Sequence, residues 1–183
     1  MSSAAADDHR TTAARFGELV AGTTDWSAPA PCEGWTALDV VRHLIEWLPG
    51  FLESGAGIEL PAGPPVDDDP VGAWRAHAAA VQAVLDDPAS AAVPFSNRHT
   101  GDMPVPDAIA IFYTSDVFLH TWDLARATGQ DERLDPQRCA AMLEGMRPAE
   151  PAMRASGHYG PAVEVPADAD PQTRLLAFIG RRP

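Results

Sequence analysis

In the stretch YTSDVFLHTWDLARATG, Tyr113 to Gly129, Asp116 and His120 stand four residues apart, and Asp123 follows three residues later. On a helix that spacing puts Asp116 and His120 on one face, about one turn apart. A carboxylate in such apolar surroundings is costly unless a counter-charge, hydrogen bonds or a metal ion compensates it. Carboxylate and imidazole on adjacent turns can reach one ion, and a second helix can supply a third ligand. His43, set among Val40, Val41, Leu44 and Trp47, is the candidate for that ligand. Two imidazoles and one carboxylate leave coordination positions open, the pattern of a catalytic divalent ion. Zinc is the first choice; the same ligands serve non-haem Fe(II), and nickel or manganese stay open as well. The alternative is an ordinary buried hydrogen-bonded pair of Asp116 and His120, with His43 capping a neighbouring carbonyl.

Asp123 could accept the other ring N–H of His120 and fix its tautomer. Pairing with Arg126 or capping a loop is the commoner fate of such a residue. Trp47 and Trp122 are pocket candidates, although an aromatic on a core helix usually belongs to the core. Arg75, Arg154, His158 and Tyr159 could meet an anionic substrate or the polar groups of a co-substrate. His77 and His99 read as solvated, and His9 as inert near a terminus. Cys32, in PCEGW, reads as a small buried residue rather than a nucleophile. No residue is singled out as a catalytic acid, base or nucleophile.

These side chains need elements to hold them. Helical spacing predicts a first helix over Asp7 to Gly22 and a second over Trp35 to Glu53, with Thr36 as N-cap and Asp39 three residues on. Pro49 predicts a kink or an early end in that helix. SGAGIELPAGPPVDDDP is a loop by composition, and Val71 to Leu85 makes a third helix. ASAAVPFSNRHTGDMPVP allows at most a short hairpin. The fourth helix, Pro106 to Thr128, closes on Gly129 and is apolar all round, with Ile109, Phe112 and Leu119 on one side and Ile111, Phe118 and Trp122 on another. Such a helix is central. A fifth runs from Gln137 to about Met146 behind Asp135 and Pro136, followed by one short extended piece and a short helix around Arg174 to Phe178. The architecture expected is all-α, a four-helix bundle with one long crossover connection, in a single domain over 1–183 whose bundle reaches about residue 153 before a C-terminal extension.

The 183 residues carry 13 Lys and Arg against 26 Asp and Glu, a net charge of −13. That charge repels phosphate backbones and anionic membrane surfaces, which argues against nucleic acid and membrane partners. No apolar run reaches the roughly 18 residues of a membrane span, and MSSAAADDHR lacks the layout of a secretion signal. Two cysteines, Cys32 and Cys139, suit reduced thiols and a cytoplasmic location.

PCEGWTALDVVRHLIEW, SDVFLHTWDLARATGQDERLDP and YGPAVEVPADADPQTRLLAFIGRRP together resemble the actinobacterial branch of the DinB-like superfamily that includes the mycothiol-dependent maleylpyruvate isomerases. The resemblance implies a DinB-like four-helix bundle and a divalent metal held by His43, Asp116 and His120. Asp116 stands where the isomerase has Glu, one methylene longer. It further implies mycothiol as co-substrate, with S-transfer to, or isomerisation of, a small electrophile. Reading the same metal without thiol, for hydrolysis or rearrangement, is a second possibility, and a non-catalytic ligand-binding bundle a third. The isomerase has a separate C-terminal domain, and the residues after Met153 are too few for an equivalent, so maleylpyruvate itself is not the expected substrate. A homodimer through helix faces is compatible with the superfamily.

Overall fold

The computed structural model describes residues 3–98, 100–157 and 159–183. His99 and His158 lie outside the described residues. Four helices form the main layer: α1 (Ala4–Gly22), α2 (Ala37–Ala56), α3 (Pro70–Asp86) and a central run ending in α4 (Ser115–Thr128). Neighbours around the ring are α1 with α3, α3 with α2, α2 with α4, and α4 with α1. The chain is therefore an all-α bundle; the loop from Gly57 to Asp69 joins neighbouring helices, and the connections that cross the ring are those from α1 to α2 and from α3 to α4.

Local chemistry sets the helix ends. The Thr36 hydroxyl accepts from the Asp39 N–H while the Asp39 carboxylate accepts from the Thr36 N–H, a reciprocal capping box. Gly129, at φ 67°, closes α4 in the left-handed region. Pro49 neither ends nor divides α2, which runs on to Ala56. One backbone bond is forgone there, while fully buried Leu48 and Leu52 hold the helix against the core on either side.

The central run begins with a helical turn at Val105–Ala108, widens into a π-helix over Ile109–Thr114 and only then becomes α4. The Ala110 carbonyl accepts from the Ser115 N–H, the i to i+5 bond of a π turn, and from the Ser115 hydroxyl at 3.1 Å. The widened turn leaves Ile111 exposed, a departure from the all-round apolar face its sequence suggests. From Val117 to Ala125 the run is buried on every side because it lies between two cores. Val117 and Leu124 face Phe16, Leu44 and Leu48, whereas Phe118, Leu119 and Trp122 face a second cluster with Cys139, Leu143, Leu175 and Leu176.

That second cluster is built by α5 (Pro136–Met146), capped by Asp135, and by α7 (Pro171–Phe178), capped by Asp170. Between them come a 3-10 turn and the short α6 (Glu150–Ala155). The extended piece near Val163 forms no strand; its N–H donates to the Ala177 carbonyl at 2.9 Å. Strands β1 (Pro94–Asn97) and β2 (Gly101–Pro104) pair antiparallel and seat Phe95 on α2 at Gly55. No helix among the described residues is long and apolar enough to cross a membrane.

Candidate functional site

α2 and α4 bring His43, Asp116 and His120 together. His43 lies one turn beyond the Asp39 that caps α2, and its Nε2 is 3.1 Å from Asp116 Oδ2. Nε2 of His120 approaches the other carboxylate oxygen, Oδ1, at 3.5 Å. One ligand atom from each of the three residues lies within 4.8 Å of the others. Ligand atoms ~2.1 Å from a tetrahedral ion stand about 3.4 Å apart. The 3.1 and 3.5 Å separations match edges of such a tetrahedron, so the donor set fits a divalent ion in type and in spacing.

The surroundings hold these groups in place. The Trp47 indole N–H donates to Asp116 Oδ2 at 3.1 Å, which places Trp47 in the site. Trp35 stacks on His120 with ring centroids 5.7 Å apart and tilts against His43 at 5.0 Å. Behind the imidazole, His120 Nδ1 is 2.9 Å from Asp123 Oδ2, an ion-pair contact aimed poorly for a hydrogen bond. A proton on Nδ1 leaves the Nε2 lone pair facing Asp116 and His43, the tautomer a metal ligand needs. Asp123 does not pair with Arg126, which is taken by Glu132. Its second partner is Arg181, whose Nε and Nη2 donate to the two carboxylate oxygens at 2.7 and 2.9 Å.

Charge is dense and shielded here. Burial opposes the His120 charge, yet Asp116 and then Asp123 outweigh it and raise its pKa to about 10. Burial likewise works against ionised Asp123, but His120 and Arg181 bring that carboxyl down to about 2. Asp116 is held below the usual carboxylate range against its burial by His120 and His43. Arg181 is raised above the ordinary guanidinium value by Asp123, despite burial. In the protein without an ion, a protonated His120 supplies positive charge between the two acids.

Cys32, His120 and Asp123 form a second group with ligand-like proximity. Arg181 already occupies it: Nη2 donates to Cys32 Sγ at 3.1 Å as well as to Asp123. A fixed guanidinium among these donors repels a cation, so the group backs His120 instead of forming a metal site of its own. Cys32 is half-buried and joins this support, unlike the small core residue its sequence suggests.

A family model described as the mycothiol maleylpyruvate isomerase N-terminal domain matches residues 9–125. The chain belongs to that family. Two uncharacterized proteins of Mycobacterium tuberculosis, from strains CDC 1551 / Oshkosh and ATCC 25618 / H37Rv, are each 32% identical to it over 156 residues, covering 84% of this chain and 83% of each relative. No solved structure matches. The stretch matched to the isomerase N-terminal domain contains His43, Asp116, His120 and Asp123, while Arg181 lies beyond it.

Other candidates fall elsewhere on this family member. Trp122 sits in the second core, with the Arg126 guanidinium 4.8 Å above its ring, and lines a cleft of about 390 Å³ with Pro29, Pro31, Arg182 and Gly180. It is not among the groups around Asp116. Arg154 is tied to Glu150 and to the carbonyls of Gly160 and Phe178, and Arg75 is exposed on α3. Tyr159 is raised above the ordinary phenol value by burial and then by Asp116, which puts it within electrostatic reach of the site. His77 and His9 are buried, at 5% and 1% exposure, because α1 and α3 pack together over them. Trp35 and Arg181 carry no local motif. The Gly-Trp pair before the Thr36 cap was the available signal for Trp35, and none marked Arg181.

Proposed function

We propose that the chain is a divalent-metal-dependent enzyme that uses a low-molecular-weight thiol, mycothiol, for S-transfer to a small electrophile or for its thiol-assisted isomerisation. The observation that carries this reading is the convergence of His43, Asp116 and His120 from two helices at tetrahedral-edge spacing. Membership of the mycothiol isomerase N-terminal domain family supports the choice of thiol. Zinc suits two imidazoles and one carboxylate with a position left over, and iron, nickel and manganese accept the same donors.

When bound, a dication there lowers the pKa of a thiol presented to it, so the nucleophilic thiolate forms near neutral pH. The chain's own residues do the rest. His43 and His120 would hold the ion from two neighbouring helices, and Asp116, under the Trp47 N–H, would balance part of its charge. Asp123 fixes the His120 tautomer, and Arg181 keeps Asp123 ionised. Trp35 and Trp47 wall the site with indole rings, which narrows its access to water and offers a flat apolar surface to a conjugated substrate.

The test begins with elemental analysis of protein purified without a histidine tag, beside His43→Ala and His120→Ala. Near one equivalent of metal in the parent and loss in both variants is the expected result. Product analysis with electrophiles bearing an activated double bond, with and without mycothiol, then reads the chemistry. Turnover that is indifferent to thiol would replace this reading with hydrolysis or rearrangement at the same ion, and a parent that takes up no metal would leave a non-catalytic binding bundle.

A further inference from the structure

Away from Asp116, on the side of the π-helix that faces α1 and α3, three more polar rings are buried together. The Tyr113 ring lies against His9 at 6.0 Å and against His77 at 5.7 Å, centroid to centroid. Exposure is 1% for His9, 5% for His77 and 0% for Tyr113. His9 Nε2, His77 Nε2 and the Tyr113 hydroxyl are each buried without a hydrogen-bond partner. Buried polar atoms are almost always satisfied, and three orphans on two imidazoles that both pack against the Tyr113 ring call for a common explanation.

The hydrogen-bond network fixes what His9 offers. The Gln82 amide nitrogen donates to the Ala6 carbonyl at 3.2 Å and to Asp86 at 3.1 Å, so its oxygen faces His9 Nδ1 at 2.8 Å and accepts that N–H. His9 Nε2 is therefore a bare acceptor. Tyr113 supplies a hydroxyl donor, and burial keeps both imidazoles neutral, with His77 pulled down to about 4. The charged groups acting on the cluster are Asp8, Arg10 and Asp86 around His9 and Asp116 beyond Tyr113, and none touches the orphaned atoms. A dication there would have no carboxylate ligand and would carry its charge bare in the core. The cluster instead wants a small neutral occupant that can both accept and donate.

We propose that His9, His77 and Tyr113 form a binding site for one internal water molecule, which accepts from the Tyr113 hydroxyl and donates to Nε2 of His9 and of His77. Three partners are what a buried water ordinarily has. The bridge ties α1 and α3 to the π-helix. Tyr113 also packs on Trp47, 5.8 Å between centroids, and Trp47 donates to Asp116, so the water helps position that carboxylate. This last consequence rests on the metal reading; the water site does not.

The test uses the full, metal-free chain. In the parent, nuclear Overhauser contacts from a long-lived water to the His9 and His77 Hε1 protons are expected, and their absence overturns the proposal. Tyr113→Phe deletes only the hydroxyl. With the water in place the melting temperature falls, because a satisfied donor is lost; a rise or no change would mean that the hydroxyl was a true orphan, and would overturn the site. Metal that persists in the His43→Ala/His120→Ala double variant and is lost on adding His77→Ala would also overturn it, making the occupant a cation. Zinc affinity of Tyr113→Phe should drop severalfold, and an unchanged affinity would remove the link to Asp116.

Discussion

Arg181 closes a two-nitrogen clamp on Asp123, at 2.7 and 2.9 Å, and Asp123 in turn touches the back of His120 at 2.9 Å. A residue 58 positions away in sequence thus sets the chemistry of a ring that faces the proposed ion. The Asp123 side chain is fully buried, so its charge depends on these two partners.

Arg181→Ala should strip one partner from that buried charge and cost about 3 kcal/mol, the low end for breaking a buried pair because His120 remains. Zinc affinity should fall about 10–100-fold, as for other groups that orient a ligand histidine from behind. Chemical denaturation and competitive metal titration read the two effects separately. Arg181→Lys keeps the charge but loses the fork and should recover stability more fully than affinity.

Trp47→Phe removes the indole N–H from Asp116 while keeping a ring against Phe51 and Tyr113. Zinc affinity should weaken by about tenfold. Asp116→Asn, which removes the ligand charge itself, should abolish stoichiometric zinc in elemental analysis.

His77 gives a pH signature. Its folded pKa, about 4, lies below the unfolded value of 6.5, so between them the unfolded chain binds more protons and stability rises with pH. The contribution is complete above 6.5 and lost as pH falls through 4; it amounts to at most about 3 kcal/mol. Urea denaturation of parent and His77→Phe across that window should show the parent with the steeper slope. Equal slopes would show that burial does not perturb this imidazole.

At Gly55 a Cβ would come within 2.1 Å of the Phe95 ring. Gly55→Ala should push β1 off α2 and cost about 1–3 kcal/mol, despite the better helix propensity of alanine. Thermal melts of Gly55→Ala and of Gly55→Ala/Phe95→Ala test this. The second substitution should remove the clash, so the two changes should be less than additive.

What was legible in the sequence was local. Thr36 with Asp39, Asp135 with Pro136, and Gly129 marked helix ends because caps act within one turn, and the four-residue step from Asp116 to His120 marked a shared face. Pro49 misled because the local cost it carries is outweighed by the burial of Leu48 and Leu52. His9 reads as peripheral because Asp7, Asp8 and Arg10 flank it, and His77 reads as solvated although Ala76, Ala78, Ala79 and Ala80 surround it; α1 packing on α3 is what buries both. Trp35 and Arg181 belong to the site only through contacts formed across the tertiary fold, and the widened turn at Ile109–Thr114 leaves no mark in an apolar run.

That widened turn makes one place in the chain unusually tolerant of a change in length. A π turn is a helix that has absorbed one additional residue. Removing the exposed Ile111 would let the run close into uninterrupted α-helix, and because the bulge already takes up the rotation of about 100° that one residue adds, the segments on either side would keep their faces. A deletion between Asp116 and His120, where no extra residue is stored, would instead turn the two ligands about 100° apart. A single-codon deletion should therefore be accepted far more readily at Ile111 than four or more residues later in the same run.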